Sequence, residues 1–233
     1  MKIKKDILKS FLNKIKMEGK QAIDECILDF GKEGLKVNAN SPPKQARVMG
    51  WLKTTAFKEY EEFGKVGINE LSNIIKVLNR FDEMITIKKE GNLITVKGEG
   101  KSVDITLVAE NFLTTDTGEP NLEFDETFEM ASTKLNSIFE DVKMNKDATL
   151  IIETEPKKVL FKNTGKYKFT NEMTADSCKG GTKVVFGELF IDAVTNLDGT
   201  LNFSVKSDYP TKVMEKTESS IISIIVAPTT NEE

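Results

Sequence analysis

Histidine is absent from this chain of 233 residues. Without an imidazole the chain cannot build the Ser-His-Asp or Cys-His arrangements of nucleophilic hydrolases, nor the usual zinc hydrolase sites. The absence therefore excludes the mechanisms that need an imidazole base or ligand.

Cysteine and long apolar runs are also scarce. Cys26 and Cys178 lie too far apart for a metal motif or a disulfide framework, so we interpret them as reduced structural thiols in a reducing compartment. No stretch approaches the roughly 20 apolar residues that span a bilayer, and no apolar run follows the cationic start, Met1 to Asp6. We expect a protein that is neither secreted nor embedded in a membrane.

Other catalytic motifs are missing or out of context. Asp116-Thr117-Gly118 spells the aspartic protease tripeptide, but the polar pair Thr114-Thr115 precedes it where those enzymes need an apolar strand, so turn chemistry explains it better. A phosphate-binding Gly-Lys-Ser/Thr loop is absent, and Lys179 to Thr182 is too short to be more than a turn.

Positive charge is concentrated at the start of an acidic chain. The net charge is −4, yet residues 1 to 20 hold seven lysines against Asp6 and Glu18. This segregation indicates either a surface for a polyanion or a solvated lysine-rich helix, and the residues alone leave both open.

Hydrophobic periodicity predicts two helices in the first half, among short alternating strands. The first runs from Lys5 to Met17, and the second from Asn69 to Arg80. The apolar positions of the first are Ile7, Leu8, Phe11, Leu12 and Ile15, opposite Lys9, Asn13, Lys16 and Lys20. The second buries Leu71, Ile74, Ile75 and Leu78, opposite Asn69, Asn73, Lys76 and Arg80.

The second half repeats this order after an aperiodic linker. A strand from Phe124 to Met130 leads to a helix from Ser132 to Val142, and a fourth helix, from Phe186 to Asn196, precedes three final strands. This pattern predicts an α+β fold in which each half packs its sheets on its helices.

Blocks along nearly the whole chain follow, in order, the pattern of one known family. In the first half they are Gly34 to Val37, Val48, Leu52, Phe57, Tyr60 and Val66 to Asn69. In the second half they are Gly118, Pro120, Phe124, Met130 to Asp141, Asp147-Ala148, Pro210 and Ala227-Pro228 with the short acidic tail. Together these blocks resemble the proliferating cell nuclear antigen (PCNA) family of DNA sliding clamps.

The resemblance implies two tandem clamp-type domains, 1-109 and 124-233, joined by an interdomain connector, 110-123. It implies a homotrimeric ring with twelve helices lining a channel for duplex DNA and antiparallel sheets outside. Such a subunit is a polymerase processivity factor rather than an enzyme, has no catalytic residue, metal or cofactor, and binds polymerase, clamp loader and other clamp-binding proteins. Its compartment would be cytoplasmic, or nuclear in a eukaryote.

The resemblance also assigns DNA-binding residues. Lys9, Lys16, Lys20 and Lys76 match channel-facing positions, and Arg80 extends that face. Contacts with phosphates alone suit a ring that slides, because base readout would arrest it. The second half departs from the family: its helices are expected to expose Thr133, Ser137, Glu140, Met144, Glu188, Ile191, Asp192 and Thr195.

A docking pocket for partner peptides is implied between the connector and the carboxyl end. The matching residues are Arg47, Val48, Leu113, Pro120, Phe124, Pro210, Ile225, Val226, Ala227 and Pro228. Simple core packing would explain the same residues. Asn40, Lys44 and Arg47 are more polar than the family's residues at these positions, so partner motifs are expected to differ.

A second hypothesis keeps the fold and changes the role. The chain would then be a non-catalytic scaffold or a transcription accessory factor, or one subunit of a heteromeric ring beside a more basic partner.

Overall fold

The computed structural model describes residues 1–113, 118, 120–146 and 149–229. Three sequence predictions fall at least partly outside the described residues: the turn at Asp116-Thr117, the Asp147-Ala148 match and the acidic tail from Thr230 to Glu233.

The four predicted helices are present. They are α1 (Lys5–Lys16), α2 (Leu71–Leu78), α3 (Ser132–Lys143) and α4 (Glu188–Val194). α2 and α4 are each shorter than predicted at both ends. After α2 the chain tightens, because the N–H groups of Arg80 and Phe81 donate to carbonyl groups three residues earlier. α1 ends where Met17 adopts a φ of 62°, so Lys20 lies in the following turn rather than on the helix.

Antiparallel strands make up most of the remaining structure. In the described part of the first half they are β1 (Lys2–Lys4), β2 (Cys26–Gly31), β3 (Gly34–Asn40), β4 (Ala46–Lys53), β5 (Phe57–Glu59), β6 (Gly64–Ile68), β7 (Met84–Glu90), β8 (Leu93–Gly98) and β9 (Lys101–Thr106). In the second half they are β10 (Glu126–Ala131), β11 (Leu150–Glu155), β12 (Lys158–Asn163), β13 (Thr170–Thr174), β14 (Lys183–Phe186), β15 (Thr200–Val205), β16 (Thr211–Lys216) and β17 (Ser220–Val226).

The strands form three sheets that reveal the repeat. Their orders are β5-β1-β7-β8-β9, β10-β15-β16-β17-β4-β3-β2-β6 and β13-β12-β11-β14. The run β1-β7-β8-β9 recurs as β10-β15-β16-β17, and β4-β3-β2-β6 recurs as β13-β12-β11-β14. The run β4-β3-β2-β6 of the first half joins the run β10-β15-β16-β17 of the second half in one sheet. The junction is the pairing of β17 with β4, from Ser220 opposite Leu52 to Val226 opposite Ala46.

One hydrophobic core extends through both halves. From α1 it takes Phe11, Leu12 and Ile15, each at most 3% exposed. Full burial of a side chain of this size stabilises the fold by about 1.5–3 kcal/mol. Both α1 and α4 pack on β4 and β17, so helices from the two halves cover the strands that join them.

A buried ion pair also joins the halves, and the sequence did not predict it. Lys14 on α1 donates to Glu215 on β16 over 2.7 Å and lies 3.3 Å from Asp198. Glu215 accepts a second hydrogen bond from the Asp198 backbone N–H. Because Lys14 is 8% exposed and Glu215 is 1% exposed, each charge depends on its partner.

Both cysteines are buried and free, as predicted for structural thiols. Burial, with a smaller effect of Asp24, raises the pKa of the Cys26 thiol to about 12. Cys26 is therefore a neutral core residue rather than a reactive thiolate.

Candidate functional site

The predicted DNA-binding cations differ in solvent exposure. Lys20, Lys76 and Arg80 are exposed, whereas Lys9 and Lys16 are half-buried. The Lys16 ammonium lies 3.7 Å from the Glu18 carboxylate, which partly neutralises it. Lys9 borders a shallow depression of about 390 Å³ between α1 and the end of α4. α1 also packs on α2, so Lys9, Lys16 and Lys76 are carried by neighbouring helices.

Lysines missed by the sequence analysis surround the end of α2. Lys101 donates to the Arg80 carbonyl oxygen over 2.9 Å, and Lys5 donates to the Phe81 carbonyl oxygen over 3.2 Å. Cations are favourable beside the last carbonyl groups of a helix. Because these two bonds depend on the tertiary fold, no local sequence pattern could have predicted them.

The second-half helices expose fewer of their predicted residues than expected. Glu140 and Glu188 are exposed as expected, but Ile191 is 4% exposed and belongs to the core. The prediction of an exposed Ile191 was wrong because α4 turns that side toward the sheet shared by the halves.

Asp192 is half-buried against the turn after α1. Its backbone carbonyl accepts from the Glu18 N–H over 2.9 Å. Gly19 has a φ of +74°, which favours glycine, and a Cβ there would displace the Asp192 carboxylate, whose Oδ2 would lie 1.7 Å away. Burial and Glu188, with a smaller effect of Glu18, raise the pKa of Asp192, while Lys143 on α3 opposes the rise.

The connector starts from a firm anchor on β6. The Val108 N–H donates to the Gly67 carbonyl oxygen over 3.0 Å, and a Cβ at Gly67 would meet Val108 O at 2.3 Å and Leu113 Cδ1 at 2.8 Å. Glycine thus lets the connector approach the strand closely. Leu113 packs against Gly67 and is 8% exposed there, and its assignment to a peptide pocket stays a prediction.

The rest of the predicted pocket is partly assembled. Pro120 from the connector and Phe124, which directly follows the connector, meet Ile225 on β17 around a cavity of about 350 Å³. We call this cavity the connector pocket. Its further lining residues are Asn121, Leu122 and Lys212. The Phe124 ring also packs edge-on against Tyr209, with centroids 6.2 Å apart.

Other predicted pocket residues take different positions. Val48 and Val226 are at most 1% exposed; they face the core because side chains alternate along β4 and β17, so their assignment to the pocket was wrong. Arg47 lies opposite Ile225 in the paired strands and donates to Asn38 Oδ1 over 2.9 Å. Pro210, Ala227 and Pro228 are half-buried beside the pocket but do not line it.

The sequence analysis did not assign Lys212 to the pocket, although the alternation of inward and outward side chains along β16 indicates its position. Thr211 and Val213 are fully buried, which places Lys212 on the outer face of β16, opposite Ile225.

Two features are absent from the part of the chain that the structure describes. No group of three His, Cys, Asp or Glu side chains there could hold a metal ion. None of the helices in that part of the chain is both long and apolar enough to cross a membrane.

Known proteins resemble the whole architecture, although no family model matches the chain. A curated protein from Nanoarchaeum equitans, the DNA polymerase sliding clamp, is 26% identical over 203 residues, which cover 83% of this chain and 76% of the relative.

Three solved structures share the fold. The A. fulgidus PCNA with the bound carboxyl-terminal region of FEN-1 has a TM-score of 0.88 at 16% identity, covering 100% of this chain and 98% of that one. The Entamoeba histolytica PCNA has a TM-score of 0.82 at 19% identity, covering 98% of each chain. A chain of the Sulfolobus tokodaii PCNA2-PCNA3 complex has a TM-score of 0.77 at 20% identity, covering 97% of this chain and 98% of that one.

These structures show that the chain has the α+β DNA clamp fold. Together with the curated relative, they confirm its resemblance to the sliding clamp family.

Proposed function

We propose that this chain is the subunit of a homotrimeric sliding clamp that encircles duplex DNA and tethers replication and repair enzymes. The observation that carries the proposal is the strand order of the sheets. One run of strands from each half joins the other through β17 and β4, whereas β9 and β13, their equivalents in the repeat, remain at sheet edges.

The repeat supplies the rule for assembly. By position in the repeated runs, β9 corresponds to β17 and β13 corresponds to β4. Pairing β9 of one subunit with β13 of the next would therefore copy between subunits the junction that each subunit already contains. It would also remove two exposed edges, which otherwise invite uncontrolled association. Repeating the same rotation closes a ring.

The helices would then face the channel. α1 and α4 cover one side of the eight-stranded sheet, and the exposed Lys20, Lys76 and Arg80 supply charge without base-reading geometry. Charge attraction to phosphates is independent of base sequence, so the ring can slide.

The connector pocket would receive partner peptides. The cavity between Pro120, Phe124 and Ile225, which Asn121 and Lys212 also line, offers apolar walls for a few anchor side chains beside polar groups. In the A. fulgidus PCNA structure the bound partner is the carboxyl-terminal region of FEN-1. We therefore choose a synthetic peptide of that region as the first probe for this chain.

Threading onto DNA tests the clamp against a scaffold that binds DNA from the side. A ring reaches a linear duplex through its free ends, whereas surface binding does not need them. We expect the chain to associate with a linear duplex that has free ends and to lose that association when streptavidin blocks both biotinylated ends. Equal binding to both duplexes, or binding to neither, would reject encirclement.

A further inference from the structure

The outer face of the eight-stranded sheet carries a second and larger concavity. It has a volume of about 780 Å³ and lies against the start of the connector, at Glu110 and Asn111. Its apolar surface comes from Met49, Trp51, Met214 and Ile221. We call it the sheet groove.

Strand alternation explains why these side chains face outward. In β4 the flanking residues Val48 and Leu52 are buried, so Met49 and Trp51 project to the opposite face. Met49 lies opposite Ser223, and Trp51 lies opposite Ile221. Met214 lies opposite Ser223 from the other side. The groove thus follows two neighbouring rows of the sheet.

The floor holds a buried polar atom with no partner. Ser223 is 7% exposed, and its Oγ makes no hydrogen bond in the structure. A buried hydroxyl without a partner costs about 1–3 kcal/mol. An occupant that parts the Met49 and Met214 side chains and places a hydrogen-bonding group between them would recover that cost.

The groove's rim is charged and its indole is flanked by cations. The ammonium groups of Lys36 and Lys53 lie 5.2 and 5.7 Å from the Trp51 ring centroid, and Lys65 adds a third cation. Asp29 and Glu110 stand on the same rim, and Lys36 is ion-paired with Glu33. Lysine side chains thus surround the apolar floor of the groove, although the net charge of the chain is −4.

A further apolar side chain stands at the connector end. Phe112 is 77% exposed and follows Asn111, which lines the groove. Large aromatic side chains with this exposure are characteristic of interaction surfaces when they adjoin an apolar patch.

We propose that the sheet groove binds a short extended peptide of a partner protein, with one or two apolar anchors between acidic residues. The anchors would cover Met49, Met214 and Ile221, a peptide backbone amide would donate to Ser223 Oγ, and the acidic flanks would meet Lys36, Lys53 and Lys65. This site is separate from the connector pocket, with which it shares only Lys212. The proposal is independent of ring assembly.

The experiment uses the chain's single tryptophan, Trp51, as the reporter. A random 12-residue peptide library is displayed on phage and selected on the full chain, and enriched peptides without tryptophan are synthesised. We expect acidic peptides with apolar anchors that change Trp51 fluorescence on binding. Met214→Glu should raise Kd at least tenfold, whereas Met144→Glu, at a methionine that is 60% exposed elsewhere, should leave Kd unchanged.

Two further variants keep the test decisive. Ile221→Ala is milder than Met214→Glu and should also weaken binding, even if Met214→Glu lowers the melting temperature. Phe124→Ala, in the connector pocket, should have no effect. Enriched peptides that depend on Phe124 rather than Met214, or the absence of any Trp51 response, would each overturn the proposal. So would an oligomer in light scattering that Met214→Glu dissociates, because a second copy of the chain would then occupy the groove.

Discussion

The two halves of the chain share one architecture and differ in the chemistry of their helices. Equivalent strand runs occupy equivalent places in the sheets, yet α1 and α2 carry Lys9, Lys16 and Lys76, while α3 and α4 carry Glu140, Glu188 and Asp192. The helices of both halves have an apolar face that packs into the core, whereas the residues on their opposite faces differ in charge between the halves. The fold therefore constrains one side of each helix and leaves the other side free for function.

The most severe way to break this arrangement is to cut the ionic link between the halves. Lys14→Met leaves Glu215, which is 1% exposed, as an uncompensated buried charge, and we expect a loss of about 3–5 kcal/mol in the free energy of unfolding. Denaturant unfolding measures it. The double variant Lys14→Met with Glu215→Leu should recover most of the loss. A single variant with unchanged stability would show that the pair does not hold the halves together.

The connector pocket, at the meeting point of the halves, should show the next largest effect. Phe124→Ala removes an aromatic wall, and we expect it to cost about 2 kcal/mol in the binding of the FEN-1 peptide. Isothermal titration measures the change. Tyr167→Ala is the matched control, because Tyr167 is an aromatic residue that is 49% exposed and does not line the connector pocket. A similar loss of peptide binding in both variants, or no loss in either, would place the peptide elsewhere.

The charge difference between the helix faces can be measured directly. Replacing Lys16 and Lys76 by Ala should lower the slope of log K against log salt by about 1.8, since each phosphate contact contributes about 0.9. Replacing Glu140 and Glu188 by Gln adds no contact and should leave the slope unchanged while raising affinity. Fluorescence anisotropy with a labelled duplex measures both. A slope that is insensitive to the lysines would move the DNA to another surface.

The smallest effect is expected at Asp192, where α4 meets the turn after α1. Its pKa is raised in the folded state, mainly by burial and then by Glu188, so the folded chain binds a proton more readily than the unfolded chain. Asp192 therefore lowers stability as pH rises from its unfolded pKa of about 4 through the raised value. Asp192→Asn should stabilise the chain at pH 7.

The advantage of Asp192→Asn should disappear at low pH, because both states of the wild-type side chain are then protonated. Thermal unfolding at several pH values measures it, with Asp176→Asn, at an exposed aspartate, as the control. A constant difference across pH would contradict the assignment.

Sequence patterns predicted the elements better than the contacts between them. The 3.6-residue period located all four helices, because burial of one helix face leaves a direct record in the sequence. The same record failed for Ile191, since its burial depends on the sheet that the two halves share and not on the local sequence. The Lys14–Glu215 pair spans 201 residues, and no local pattern reports such a distance.

The candidate site was predicted in outline for a similar reason. The resemblance brought Pro120, Phe124 and Ile225 to one place, and the structure agrees. It misplaced Val48 and Val226, although strand alternation would have assigned both to the core. The sheet groove was not foreseen, because its apolar residues come from β4, β16 and β17 and meet only when the two halves share a sheet.

The molar mass in solution tests the central claim most directly, since encirclement requires a closed assembly of subunits. The chain has a mass of 26.1 kDa, and the proposed homotrimeric ring predicts a particle of three chains by multi-angle light scattering at micromolar concentration without any added partner. A monomer under those conditions would contradict the homotrimeric ring.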